Sequence, residues 1–144
     1  MQAFLAAEDP CFLSDASGCH SGRATIVDQL VKSQHVGGRN LSRQLKEISL
    51  AFAISKTCSR ANILNAYLDT IYLGQDDHRT LYGVRAAAHE YFGCETSDLT
   101  LEQAATVAGL ARSPTRYSPR SHPNEARERR DVVLARMREA GFLR

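Results

Sequence analysis

The sequence is most informative when it is read outward from one segment, Arg39-Asn-Leu-Ser-Arg-Gln-Leu-Lys-Glu-Ile-Ser-Leu-Ala-Phe-Ala-Ile54. At about 3.6 residues per helical turn, its apolar residues fall on one stripe, which consists of Leu41, Leu45, Ile48 and Phe52. The charged residues fall on the opposite stripe, which consists of Arg39, Arg43, Lys46 and Glu47. This periodicity predicts an amphipathic helix over residues 40–56, around which the other helices are arranged.

The polar face of this helix ends after Glu47. Leu50 and Ile54 continue on the side that Arg43 and Glu47 occupy, so we expect the helix to enter the interior of the domain there. Glu47 then lies at the border between a cationic surface and a buried segment, with Arg43 one turn away. Such a position can tune a carboxylate for chemistry. The simpler alternative is an ordinary helical ion pair at the rim of a core.

The composition predicts one globular domain that spans residues 1–144. A chain of this length can bury a sizeable core, and its 43% hydrophobic and 24% charged residues are ordinary for a folded protein. The net charge of +2 conceals two basic blocks, 23–60 and 112–144, which alternate with acidic ones. The pattern predicts a surface patch for anions. It predicts no nucleic-acid partner, because the chain is not uniformly basic.

Neither a cysteine metal site nor a membrane segment is indicated. The four cysteines have no C-x-x-C spacing, and we interpret them as free thiols or core fillers: Cys11, Cys19, Cys58 and Cys94. The longest uninterrupted apolar run, residues 50–54, is far too short to cross a bilayer. The first residues also lack the cationic region and cleavage site of a signal peptide. We therefore expect neither a signal peptide nor a transmembrane helix in this sequence.

The rest of the chain predicts further helices, over residues 2–7, 25–34, 60–73, 82–92, 104–111 and 123–140. Their boundaries are marked by an N-cap at Ser59, a capping box that begins at Thr100, and stop signals at Gly74, Gly93 and Gly141. No run alternates as a half-buried strand would. The predicted fold class is therefore all-α.

Two carboxylates have cationic neighbours in the sequence. Glu8 ends the first predicted helix, and Glu47 follows Arg43 by one turn. The other polar residues nearby are Thr25, Gln29, Lys32 and Arg39. This combination is suited to a sugar transfer with a phosphate leaving group, because one carboxylate can remove a proton while cations hold the departing pyrophosphate. The arginines of the last helix are more simply explained as a solvated face, and Tyr67 as a core residue.

At these residues the sequence resembles the glycosyltransferase family 51 domain of bifunctional penicillin-binding proteins and monofunctional peptidoglycan transglycosylases. Ala6-Ala-Glu-Asp-Pro-Cys-Phe12 resembles the first family motif, Glu-Asp-x-x-Phe. Ala24-Thr-Ile-Val-Asp-Gln-Leu-Val-Lys32 resembles the second, Gly-x-Ser-Thr-Ile-x-x-Gln-Leu-x-Lys, and residues 39–47 resemble the third, Arg-Thr-Leu-x-Arg-Lys-x-x-Glu. Further matches follow in the family's order through residues 63–69, 82–93, 99–105 and 114–119. The resemblance covers nearly the whole chain.

The resemblance implies a lysozyme-like helical domain that polymerises lipid II into glycan strands and releases undecaprenyl pyrophosphate with inversion. It implies that Glu8 is the general base and that Glu47 assists at the pyrophosphate, directly or through a divalent metal ion, Mg or Mn. It also implies a set of substrate-binding residues, namely Thr25, Gln29, Lys32, Arg39 and Arg43. The implied partners are lipid II, the nascent glycan strand, the membrane surface and cell-wall synthesis proteins. The implied location is the periplasmic face of the bacterial inner membrane.

The sequence also departs from the family pattern. Most of the segment that joins the first two motifs in the family is missing, and Asp28 adds negative charge beside the expected anion site. The alternative function is therefore that of an impaired family member, which binds lipid II or glycan strands without turnover.

Overall fold

The computed structural model of the chain describes residues 1–12, 26–33, 41–75 and 79–143, and only the backbone of residue 33 and of residues 41–45. Within these residues the helices are α1 (Gln2–Glu8), α2 (Ile26–Ser33), α3 (Leu41–Thr57), α4 (Arg60–Thr70), α5 (Val84–Phe92), α6 (Leu101–Leu110) and α7 (Pro123–Glu139). A small antiparallel hairpin consists of β1 (Tyr72–Gln75) and β2 (Thr80–Tyr82). The predicted all-α class is confirmed.

The predicted caps fix several helix boundaries. The Ser59 hydroxyl accepts a hydrogen bond from the backbone N–H of Asn62 at 3.2 Å, which satisfies one free donor at the start of α4. Thr100 and Gln103 form the predicted capping box, with bonds of 3.2 and 2.8 Å. Gly93 ends α5 in the left-handed conformation with φ of 65°. These local signals were sufficient to predict the helix boundaries, because the capping residues satisfy the free backbone groups at each helix end.

The centre of the domain is α1. Five successive residues, 3–7, are all buried, so the helix is covered on every side by its neighbours. It packs against α6 and α7, whereas α2 packs against α3 and α4. The predicted central role of residues 40–56 is therefore wrong, although the helix itself is confirmed.

The predicted burial of the second half of α3 is also wrong. Ile48 and Phe52 are 66% and 65% exposed, and Leu50 is exposed as well, while Ala51 is buried. The reason is that α3 packs mainly against one neighbour, α2, which can cover only a narrow stripe of a helix surface. The result is an exposed apolar face. In the part of the chain that the structure describes, no helix combines the length and apolar character needed to span a membrane.

The hairpin replaces the predicted end of α4. The helix stops at Thr70, not at residue 73, because Ile71 is already extended with ψ of 135°. The rings of Tyr72 and Tyr82 then pair across the two strands with centroids 5.8 Å apart. Strands of four and three residues are too short to show an alternating pattern in the sequence.

The interpretation of the cysteines is only partly right. Cys58 and Cys94 are free. Cys11 is disulfide-bonded, so it is not a free thiol.

Candidate active site

Glu8 lies at the edge of an open cavity of about 600 Å³. It is the last residue of α1 and is half-buried, because the five residues before it are held in the core. The described residues that line the cavity come from α1, α2, the end of α6 and α7, and they are Ala7, Glu8, Gln29, Ala111, Arg112, Arg129 and Arg136. The carboxylate is therefore fixed at a rigid element while facing accessible space.

A chain of two hydrogen bonds holds the Glu8 carboxylate. The Gln29 side-chain amide donates to Oε2 of Glu8 at 2.8 Å, and the Tyr67 hydroxyl donates to Oε1 of Gln29 at 3.0 Å. Tyr67 is buried, and this burial, with the charge of Glu8 as a smaller cause, raises the pKa of the Tyr67 hydroxyl. The hydroxyl therefore stays protonated and keeps the amide of Gln29 turned with its N–H groups toward Glu8.

Three arginines also line the cavity, and we call Arg112, Arg129 and Arg136 the arginine wall. Arg136 donates to the carbonyl oxygen of Ala7 at 2.9 Å, which ties α7 to the last turn of α1. The guanidinium of Arg129 lies 5.8 Å from the ring centre of Tyr117. The Nε of Arg129 is buried, and no group in the described part of the chain forms a hydrogen bond with it.

The pKa of Arg129 reflects its burial and its charged neighbours. Burial lowers the pKa of its guanidinium, the positive charges of Arg136 and Arg112 lower it further, and Tyr117 and Glu8 act in the opposite direction. The interpretation of the last helix as a solvated face is therefore wrong for Arg129 and Arg136, which lie at the cavity. It holds for Arg127 and Arg138, which are exposed.

The other predicted site residues are placed as follows. Gln29 lines the cavity with Glu8, as described. Lys32 is exposed at the end of α2, and Glu47 is half-buried on α3, and neither is among the described residues that line this cavity. Only the backbone of Arg43 is described, in the first turn of α3, and Thr25 and Arg39 lie outside the described residues. Of the four predicted residues whose side chains the structure describes, Glu8 and Gln29 line the cavity, whereas Lys32 and Glu47 do not.

A comparison with known protein families identifies the family of the chain. The model of the Transglycosylase family matches residues 12–138. The chain belongs to the transglycosylase family. Its helical architecture agrees with the fold that the resemblance of the motifs implied.

The transglycosylase relatives are penicillin-binding proteins. The chain is 42% identical to penicillin-binding protein 1A of Aquifex aeolicus (strain VF5), over 85% of the chain and 16% of that protein. It is 35% identical to penicillin-binding protein 1A/1B of Bacillus subtilis (strain 168), over 99% of the chain and 17% of that protein. It is 38% identical to penicillin-binding protein 1A of Pseudomonas aeruginosa (strain PAO1), over 85% of the chain. The chain therefore spans only about a sixth of the length of these relatives.

Sequence reasoning missed the arginine wall of this transglycosylase domain, although a signal was present. The buried residues of α7 are Ala126, Val133 and Met137. Arg129 and Arg136 fall at the steps of three and four residues that continue this stripe, so they belong to the inward face of the helix. Arg127 and Arg138 lie off the stripe. The abundance of arginine in the helix concealed this difference.

The described residues offer no protein cage for a metal ion, since no group of three or more His, Cys, Asp or Glu side chains converges among them. To the divalent ion that the resemblance implies, the described residues offer single carboxylates such as Glu47, with phosphate oxygens and water as the remaining ligands. Magnesium is commonly bound in this way.

Proposed function

We propose that this transglycosylase domain is a peptidoglycan glycosyltransferase that polymerises lipid II, with inversion and release of undecaprenyl pyrophosphate. The observation that carries the proposal is the oriented Glu8 carboxylate, which faces a cavity whose other described charged lining residues are arginines. A general base next to concentrated positive charge suits a reaction in which a hydroxyl loses a proton and a phosphate leaves.

In the proposed reaction, Glu8 takes the proton of the acceptor's 4-hydroxyl as that oxygen bonds to the anomeric carbon of the donor. The bond between that carbon and the pyrophosphate oxygen breaks, and its electron pair leaves with the pyrophosphate. A single displacement inverts the anomeric carbon and needs no covalent intermediate. Gln29 contributes by holding the carboxylate, because its amide already occupies one carboxylate oxygen. The second oxygen is then the one that accepts the proton.

Cations offset the charge that grows on the pyrophosphate. We assign this role to Lys32, Arg39 and Arg43, with Thr25 as a neutral donor and Glu47 as an auxiliary carboxylate. Glu47 would hold the Mg or Mn ion, which when bound supplies positive charge at the pyrophosphate. The packing of α2 against α3, which carry Lys32 and Glu47, supports this assignment.

The exposed face of α3 gives the domain a surface for its lipid-linked substrate. Ile48 and Phe52 expose apolar side chains, and Lys46 and Lys56 are exposed on the same helix. The ammonium of Lys56 lies 5.7 Å from the ring centre of Phe52. Apolar side chains combined with lysines favour contact with an anionic bilayer surface. We assign this face to the periplasmic surface of the bacterial inner membrane.

The proposal is tested by incubating the chain with labelled lipid II and a divalent metal ion and separating polymer from substrate on a gel. The wild-type chain is expected to form glycan strands, whereas Glu8→Gln, which cannot accept the proton, is expected to form none. Glu95→Gln removes the same charge at an exposed loop position and is expected to behave as wild type. Polymer formation by Glu8→Gln at the wild-type rate would contradict the proposal.

The second candidate, a lipid II-binding domain without turnover, is favoured by one observation. Lys32 and Glu47 do not line the cavity that contains Glu8. In that case lipid II binds to wild type and to Glu8→Gln with equal affinity, and neither protein forms polymer. Polymer formation by the wild-type chain rejects this candidate.

A further inference from the structure

The cavity beside Glu8 has an excess of positive charge that no described lining residue neutralises. Its charged lining residues are one carboxylate, Glu8, and the three guanidinium groups of the arginine wall. The carboxylate also accepts the amide of Gln29. Like charges that converge on partly buried space repel each other, and a bound anion would relieve that repulsion.

The hydrogen bonds of the arginine wall also indicate that a bound anion would be favourable in the cavity. Arg136 donates to the carbonyl of Ala7, but the buried Nε of Arg129 has no hydrogen-bond partner among the described residues. An unpaired buried donor of a charged group is costly, so a ligand that accepts a hydrogen bond there gains more than at an exposed site. The lowered pKa of the Arg129 guanidinium, caused first by burial and then by Arg136, agrees with this electrostatic strain.

The size and lining of the cavity restrict the ligand class. A volume of about 600 Å³ lies within the roughly 300–1,000 Å³ typical of small-molecule sites. Among the described lining residues only Ala7 and Ala111 are apolar, and such a lining does not favour an acyl or prenyl chain. Planar guanidinium groups recognise pairs of phosphate oxygens with two parallel hydrogen bonds.

We infer that the arginine wall, Arg112, Arg129 and Arg136, is a pyrophosphate-binding subsite to which Lys32 does not contribute. The inference deepens the proposed function, because it places a pyrophosphate group within the cavity that contains the proposed base. A pyrophosphate group of this kind has two sources in the proposed reaction. One is the intact substrate, in which the pyrophosphate is a diester, and the other is the released polyprenyl product, in which it is a monoester.

The test is a titration of the chain with inorganic pyrophosphate. Calorimetry measures the affinity, and NMR of the isotopically labelled chain monitors the Nε–H resonances of the arginines. The Arg129 Nε–H signal is expected to shift, because this group acquires a partner. Arg129→Gln and Arg112→Gln are each expected to weaken binding about tenfold, as for lost charged hydrogen bonds. Arg127→Gln and Arg138→Gln remove the same charge from exposed positions of α7 and are expected to change binding less than about twofold. Arg136 is left intact because it also holds Ala7.

Two further measurements test the charge of the cavity and identify the source of the pyrophosphate group. Glu8→Gln is expected to bind pyrophosphate about threefold more tightly, because a negative charge leaves the cavity. Geranyl pyrophosphate and uridine diphosphate N-acetylglucosamine represent the monoester and the diester, and the tighter ligand identifies the source. Affinity that is lost with Lys32→Gln but unchanged in both Arg112→Gln and Arg129→Gln would overturn the inference. Failure of the proposed function would appear differently, as pyrophosphate binding by the wall without any polymerisation of lipid II.

Discussion

The substitution Tyr67→Phe tests how the Glu8 carboxylate is held. It removes only the hydroxyl that donates to Gln29 at 3.0 Å. The ring remains and keeps its edge-to-face contact with Phe4, whose centroid lies 6.5 Å away. The change therefore breaks the hydrogen-bond chain at its buried end while the core stays filled.

The expected loss of stability follows from that single bond. Its net contribution is about 1 kcal/mol, and Oε1 of Gln29 is left without its donor, which adds a smaller cost because Gln29 is only half-buried. A total of about 1–2 kcal/mol corresponds to a melting temperature lower by about 3–7 °C for a domain of this size. The amide of Gln29 can then rotate, and Glu8 loses a fixed donor. We expect kcat for lipid II polymerisation to fall about tenfold, with little change in KM, as for a misoriented catalytic group.

The assay combines thermal unfolding followed by circular dichroism with initial rates of polymerisation. Tyr82→Phe is the matched control, because this tyrosine is 57% exposed on the hairpin. The control is expected to unfold and react as wild type does. If Tyr67→Phe also unfolded within about 1 °C of wild type and polymerised at the same rate, the hydrogen-bond chain would have no role in holding Glu8.

Three other predictions concern the backbone, the surface and the response to pH. Gly83→Ala places a methyl group 2.5 Å from the carbonyl oxygen of Asp69 at a φ of +82°, and unfolding measurements should show a loss of about 3 kcal/mol or more. Gly93→Ala has a similar backbone angle but open space, and should lose only about 1–2 kcal/mol. Phe52→Ser should reduce sedimentation of the protein with anionic lipid vesicles about threefold or more. The melting temperature should stay the same, because the ring is exposed. Unchanged sedimentation would reject the assigned membrane face. The pKa of the Tyr67 hydroxyl is raised above the ordinary tyrosine value of 10.0. The contribution of this hydroxyl to stability is therefore complete below that pH and is lost as the pH rises further, since the unfolded tyrosine ionises first. The difference in melting temperature between wild type and Tyr67→Phe should therefore shrink from about pH 9 to about pH 11, and a difference that grows would contradict the assignment.

The sequence predicted those parts of the fold that depend on local chemistry. Ser59, Thr100 and Gly93 mark helix ends because their side chains or backbone satisfy groups within a few residues. The burial of α3 depends instead on how many neighbours pack against it, which periodicity does not encode. Phe52 is an equally good apolar residue for a core and for an exposed face.

The site was predictable to a similar degree. Glu8 and Gln29 come from motifs near the start of the chain, and the structure places them in hydrogen-bond contact. The residues that face them come from the far end of the sequence, and charge alone gave no reason to select Arg129 and Arg136 among nine basic residues of that block. The spacing of buried residues in α7 separates them from their neighbours, but only after the inward face is known.

The bond between Arg136 and the carbonyl of Ala7 joins positions separated by 129 residues. During synthesis α1 emerges before α7, so the guanidinium that secures the last turn of α1 follows it by 129 residues. A nascent chain halted before α7 would therefore carry the carboxylate, its glutamine and Arg112, but neither Arg129 nor Arg136. The three cations beside Glu8 would then be complete only after translation has passed residue 136.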